Sequence, residues 1–192
     1  MNKAILLDRD GTINLDPGYI SEEENFHLYP FAAQAIRKFN EMGFLVFVIT
    51  NQSGIARGIF SWEKLTEIHQ KMINELNKEN AKIDEFYISP YHKDGIVEPY
   101  NIDHENRKPN LGLFKLINEK YLLKHKKSFM IGDRYSDIEF GVKAELKTIL
   151  VLSGLGENEF YENRRKWQYK PDFITSNLLS AAKLIDFLEN IK

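Results

Sequence analysis

The strongest constraint on this chain is a rhythm. Short apolar runs recur along its 192 residues, and longer stretches of helical periodicity lie between most of them. The runs lie at 4–7 (AILL), 44–50 (FLVFVIT), 86–89 (FYIS), 128–133 (SFMIGD) and 148–153 (TILVLS), with a weaker one at 172–175 (DFIT). They do not alternate polar with apolar residues. They therefore suit strands buried on both faces, as in a parallel sheet. Between them, Ala32, Ala35, Ile36 and Phe39 share a helix face that ends before Gly43. Ser61 is a predicted N-cap ahead of a stripe of Leu65, Ile68, Met72 and Leu76, and Asn177 is a cap for the last helix. Strand and helix in turn predict an α/β fold, a Rossmann-like doubly wound parallel sheet. At this length a single domain, 1–192, is expected, burying roughly 70% of the surface its unfolded chain exposes.

Composition removes several classes of function. The absence of Cys excludes disulfides, thiolate metal sites and a Cys nucleophile. A net charge of -2 with both signs interspersed argues against nucleic acid or an anionic membrane as partner. No run approaches the roughly 20 apolar residues of a membrane span, and residues 1–3 lead into a strand with no signal-like segment. A cytoplasmic protein is expected.

The unusual residues fall just beyond the predicted strands. Asp8 and Asp10 follow the first, in LDRDGT. Thr50, Asn51, Gln52 and Ser53 close the second, in TNQSG; Arg107 and Lys108 open the helix after a long loop, 90–109; Asp133 and Asp137 follow FMIGD. A second unassigned loop, 16–30, begins Asp16, Pro17, Gly18, Tyr19. Taken singly, each is an ordinary turn, cap or solvated charge. Taken together they converge on one crevice at the carboxyl ends of the strands, where open α/β sheets bind ligands. Carboxylates are hard ligands for Mg²⁺, and hydroxyls, N–H groups and a Lys hold phosphate oxygens.

In this order the residues resemble the haloacid-dehalogenase (HAD) phosphatases. The motifs are Asp8-Arg9-Asp10-Gly11-Thr12, then Thr50, Lys108, and Gly132-Asp133 with Asp137. Within that superfamily, LDRDGTIN, TNQSGIARG, RKP and IGDRYSD look most like the heptose 1,7-bisphosphate phosphatase family, with histidinol-phosphate phosphatases next. The resemblance implies a HAD-like fold with no separate cap domain, Mg²⁺ as cofactor, a phosphorylated sugar as substrate, and a monomer. It implies Asp8 as nucleophile, Asp10 as acid/base, and Thr50 and Lys108 on the transferring phosphoryl group. Asp8, the backbone oxygen of Asp10, and Asp133 would hold Mg²⁺, with Asp137 behind them. Asp16, Pro17, Gly18, Tyr19, Thr50, Asn51, Gln52, Ser53, Arg107, Lys108 and Arg134 would line the substrate site. Arg134 stands where relatives usually have Lys. Relatives also often carry zinc in the second loop, on a C-x-H and a C-x-C motif. The matching positions here are Ser89, Tyr91, His104 and Asn106. Even with His92 and Asp103 nearby, no four-ligand set results, so zinc is not expected. Packing by Tyr91, Pro99 and Tyr100 is expected to hold that loop instead. Two alternatives stay open: histidinol phosphate or another small sugar phosphate as substrate, and a phospho-ligand binding module that has lost catalysis.

Overall fold

The computed structural model describes residues 1–191. Six parallel strands form one sheet in the order β3-β2-β1-β4-β5-β6. They are β1 (Ala4–Leu7), β2 (Leu45–Asn51), β3 (Glu85–Ser89), β4 (Phe129–Gly132), β5 (Lys147–Val151) and β6 (Phe173–Thr175). The main helices are α1 (Ala32–Glu41), α2 (Trp62–Lys78), α3 (Gly112–Tyr121), α4 (Tyr135–Lys143) and α6 (Leu178–Asn190). A short α5 (Gly156–Asn158) opens an irregular helical segment, 156–166, that hydrophobic periodicity alone does not reveal.

Each strand sends alternate side chains to opposite faces. Ile5 and Leu7 of β1, Val46 and Val48 of β2, and Ile131 of β4 enter one core with Ala35, Ile36 and Phe39 of α1, Met72 of α2 and Ile185 of α6. Ala4 and Leu6, Phe47 and Ile49, and Met130 enter the other, with Leu113, Phe114 and Ile117 of α3 and Phe140 of α4. Both faces are therefore apolar, which is why the strand sequences do not alternate. Burying each Phe or Ile stabilises the fold by about 1.5–3 kcal/mol. The predicted caps are in place. Ser61 Oγ accepts from Lys64 N, and Asn177 Oδ1 accepts from Ser180 N.

The order of strands positions the site. From β1 the chain winds outward through β2 to β3, then crosses back to place β4 on β1's other side. The winding reverses between β1 and β4, so a crevice opens beyond their carboxyl ends. Asp8 and Asp133 are the first residues past those two ends. Among the described residues no helix is long and apolar enough to cross a membrane.

Candidate active site

β1 aims Asp8 into the crevice, and its backbone N–H continues the ladder to Ile131 O of β4 at 2.9 Å. Beyond β4, Gly132 and Asp133 turn the chain into α4. A β-carbon at Gly132 would collide with the Asp137 carboxylate, so only glycine lets that side chain fold back over the strand end. Asp137 is the N3 residue of α4; its Oδ2 accepts from Arg134 N at 3.1 Å. Lys108 comes from the far end of the long loop, and its backbone is clamped from β2. Asn51 Oδ1 accepts from Lys108 N and Asn51 Nδ2 donates to Lys108 O, both at 3.0 Å.

These groups meet in a buried ionic cluster. Lys108 Nζ lies 2.8 Å from Asp8 Oδ1 and 2.7 Å from Asp137 Oδ1. Asp8, Asp133 and Asp137 each bring one carboxylate oxygen within 4.8 Å of the others. One ammonium among three carboxylates leaves two negative charges uncompensated. Burial raises the Asp8 pKa to about 6 despite Lys108, with Asp137 and Asp10 adding repulsion. Burial, then Asp8 and Asp137, push Asp133 well above the usual carboxylate range. Lys108 stays above its ordinary value: burial opposes its charge, but Asp137 and Asp8 outweigh that.

This cluster fits a divalent cation. Asp133 is fully buried; its Oδ2 accepts from Leu155 N at 2.8 Å, while its Oδ1 has no partner in the protein. A buried carboxylate oxygen without a donor is costly unless a ligand completes it. Both oxygens of Asp137 are already engaged, by Lys108 and Arg134 N. Asp133 Oδ1 is thus the one buried oxygen of these three carboxylates without a partner among the described residues.

Asp10 turns away from this cluster. Gly11, at φ +81°, reverses the chain beside Asp133, where a β-carbon would collide with that carboxylate. The Asp10 carboxylate accepts from Arg9 Nε and Nη2 (2.7–3.0 Å), from Asn14 Nδ2 (2.9 Å) and from Gln52 Nε2 (2.8 Å). Burial pushes its pKa up, but the Arg9 charge and these hydrogen bonds outweigh that and hold it below the ordinary value. Gln52 also donates to Thr50 Oγ1 at 2.8 Å, which leaves the buried Thr50 hydroxyl proton for another acceptor.

The cleft above these groups holds about 440 Å³. Asp8, Asp10, Asp16, Gly18, Tyr19, Thr50, Asn51, Gln52, Ser53, Arg107, Lys108, Arg134 and Asp137 all line it. Pro17 is a departure from expectation: it is exposed and outside the wall. Asp16 Oδ1 accepts from Gly18 N, and that tight turn directs Pro17 to solvent. Asp16 is instead tied across the mouth to Arg134 Nη2 at 3.0 Å. Five further residues line it that the sequence did not point to as cleft residues: Arg9, Ile20, Arg57, His92 and Ser136. Arg57 belongs to SGIARG, in the loop that follows β2. Its guanidinium lies 3.1 Å from His92 Nε2. Arg107 donates to Tyr91 O at 2.9 Å, and burial holds its pKa below the usual value.

The long loop is held by rings. Tyr91 stacks on His104 with centroids 3.8 Å apart and planes 8° from parallel. Tyr91 also meets Tyr100 edge-on at 5.8 Å, and Tyr100 Oη accepts from Trp62 Nε1 at 2.9 Å. His104 Nδ1 accepts from Asn106 N. The four positions Ser89, Tyr91, His104 and Asn106 thus offer a hydroxyl, a stacked phenol, one imidazole with Nδ1 engaged, and an amide. That donor set does not fit zinc.

A HAD-hydrolase-like family model matches residues 105–181. The chain is 40% identical over 136 residues to a D-glycero-beta-D-manno-heptose-1,7-bisphosphate 7-phosphatase of Rhodopseudomonas palustris, covering 71% of this chain and 76% of that one. The Pasteurella multocida protein of that name is 34% identical over 191 residues, covering 99% and 100%. The D,D-heptose 1,7-bisphosphate phosphatase of B. bronchiseptica, solved with magnesium and phosphate, superposes with a TM-score of 0.84 at 26% identity, covering 97% of this chain and 98% of that one. The strand-end carboxylates, the buried lysine and these likenesses agree: the chain belongs to the D-glycero-beta-D-manno-heptose-1,7-bisphosphate 7-phosphatase family of HAD-like hydrolases.

Proposed function

We propose that the chain is a Mg²⁺-dependent phosphatase that removes the C7 phosphate of D-glycero-beta-D-manno-heptose 1,7-bisphosphate. The observation that carries this reading is the polarity of one cleft. Asp8 and Lys108 lie at its floor, and the guanidinium groups of Arg57, Arg107 and Arg134 lie along its walls. A substrate with phosphates at both ends matches both regions. A monophosphate such as histidinol phosphate would leave Arg57 and Arg107 without an anion, whereas Arg134 keeps Asp16.

Asp8 attacks phosphorus at C7, the bond from phosphorus to the sugar oxygen breaks, and Asp10 gives that oxygen its proton. Asp10 then takes a proton from the water that hydrolyses the aspartyl-phosphate and frees Asp8. Lys108 Nζ and the Thr50 hydroxyl donate to the phosphoryl oxygens. Asp8, Asp133 and the backbone oxygen of Asp10 would hold Mg²⁺, whose positive charge would offset repulsion between Asp8 and the phosphate. The Gln52 contact is the one Asp10 gives up most readily, because Gln52 keeps Thr50 as its other partner. One domain, 1–192, carries every one of these residues, so catalysis needs no second copy.

The test is phosphate release with Mg²⁺ from both anomers of the heptose bisphosphate, fructose 1,6-bisphosphate, histidinol phosphate and an aryl phosphate. The beta heptose anomer is expected to be preferred, with turnover lost on removing Mg²⁺ and unaffected by a zinc-selective chelator. Preference for histidinol phosphate would overturn the substrate assignment, and equal turnover without Mg²⁺ would overturn the mechanism.

A further inference from the structure

His69 has no place in the mechanism above, yet it is buried on α2 among Leu65, Ile68 and Met72. Its ring stacks on Phe86 of β3, with centroids 4.7 Å apart and planes at 24°. Its Nε2 lies 3.1 Å from Nη1 of Arg9. Arg9 is 1% exposed and is among the largest fully buried side chains. The rest of its guanidinium is spent on Asp10: Nε at 3.0 Å from Oδ1, and Nη2 at 2.7 and 2.8 Å from the two oxygens. Arg9 therefore joins two groups, the Asp10 carboxylate and the His69 ring.

An arginine has only donors, so His69 Nε2 must be the acceptor and the ring proton must sit on Nδ1. Burial, then the Arg9 charge, lower the His69 pKa to about 3, so the ring is neutral at any working pH. Neutrality matters here. A carboxylate at position 69 would satisfy Nη1 but would compete with Asp10 for the guanidinium. An apolar residue would leave a buried N–H unpaired and free the fork to rotate. A neutral acceptor fixes the plane of the guanidinium and leaves its charge directed at Asp10.

We propose that His69 is a positioning residue for catalysis: by accepting from Arg9 Nη1 it locks the guanidinium that aims the Asp10 carboxylate at the leaving-group oxygen. The inference rests on Asp10 being the acid/base, and the experiment separates the two. His69→Phe keeps the ring stack and removes the acceptor. His69→Gln keeps a neutral acceptor near the place of Nε2. Asp10→Asn removes the acid itself. Each is measured as kcat/KM on the heptose bisphosphate and on p-nitrophenyl phosphate. The nitrophenolate departs without a proton, whereas the sugar alkoxide needs one, and kcat/KM reports steps up to departure of the leaving group.

The expected result is a loss of roughly tenfold or more for His69→Phe on the heptose bisphosphate, with p-nitrophenyl phosphate changed far less and His69→Gln close to wild type. A purely structural role would lower both substrates together. Equal losses, or none, for His69→Phe alongside an unequal loss for Asp10→Asn overturn the inference and leave the acid/base assignment standing. No inequality for Asp10→Asn overturns that assignment and the inference with it. The wild-type protein supplies a check that needs no variant. Imidazole ¹⁵N spectra of the Mg²⁺-loaded enzyme should show His69 with a bare Nε2 and a protonated Nδ1, and a protonated Nε2 would refute the proposal.

Discussion

Burial of a neutral histidine has a measurable consequence for stability. In the unfolded chain His69 titrates near 6.5, and in the folded protein near 3. Below 6.5 the unfolded state binds a proton that the folded state refuses. The stability this residue confers is fully present above 6.5 and is lost as pH falls toward 3. At about pH 5 the unfolded state gains about 2 kcal/mol from that proton, against less than about 0.1 kcal/mol at about pH 7.5. This difference holds for any folded value well below 5, so it does not depend on where near 3 the ring titrates. The perturbation is His69→Gln, which has the acceptor but no titration. Urea unfolding of both proteins at the two pH values, with Mg²⁺ absent, gives four stabilities. Carboxylates common to both proteins cancel in the difference of differences. Wild type should lose about 2 kcal/mol more than His69→Gln on going to the lower pH, about 4–8 °C in Tm for a chain of this size. Equal losses would mean that His69 is protonated in the folded state, and the neutral-acceptor argument would be refuted.

Two further outcomes follow from the ionic cluster. Asp8→Asn should fold normally and lower kcat by about 10⁴-fold or more, read as phosphate release; substantial residual turnover would remove Asp8 as nucleophile. With Asp8 raised to about 6 in the metal-free protein, the folded state holds a proton that the unfolded state has released above its ordinary 3.8. The contribution of Asp8 to metal-free stability is therefore lost as pH rises toward and through about 6, opposite in sign to that of His69, and Mg²⁺ should raise Tm more at about pH 7.5 than at about pH 5, because protons compete with the cation for the same oxygens.

Much of the fold was legible because both faces of the sheet are covered. Non-alternating runs such as AILL and FLVFVIT have few other uses, and the predicted strands match the observed ones to within about two residues, the usual scatter of element boundaries. The site's floor was legible because strand ends carry it. What stayed hidden was set by tertiary partners. Nothing in DRDG says that Arg9 is buried, since an arginine between two aspartates reads as a solvated charge. Its partner His69 is separated from it by 60 residues, and within the α2 stripe a histidine looks like tolerated core. Asn51 lines the cleft as expected from its strand-end position, but that both ends of its amide also hold the Lys108 backbone is visible only in the fold. Arg57 and His92 belong to loops whose convergence only the fold decides. The 156–166 segment has no periodicity to announce it, and it is anchored by Trp167 stacked on Tyr135 at 5.2 Å.

Asp8 and Asp10 stand two residues apart, and the fold answers their repulsion by giving each its own counter-charge. Asp8 faces Lys108 and the cation-binding oxygens, while Asp10 faces Arg9. In the free protein these environments push the two pKa values opposite to their proposed roles: the nucleophile is raised to about 6 and the acid is lowered. In the proposed mechanism, loading the cleft would reverse both. A divalent cation beside Asp8 favours its ionised form and makes it a nucleophile. The negative charge of a phosphate arriving beside Asp10 favours its protonated form and makes it an acid. On that mechanism, departure of the alkoxide would leave Asp10 ionised again, with Arg9 placed to stabilise it as the base for the second half of the reaction. The resting protein is therefore charged for neither step, and the loaded one for both in turn. That economy depends on Arg9 remaining directed at Asp10 throughout, which is the condition a neutral His69 is placed to meet.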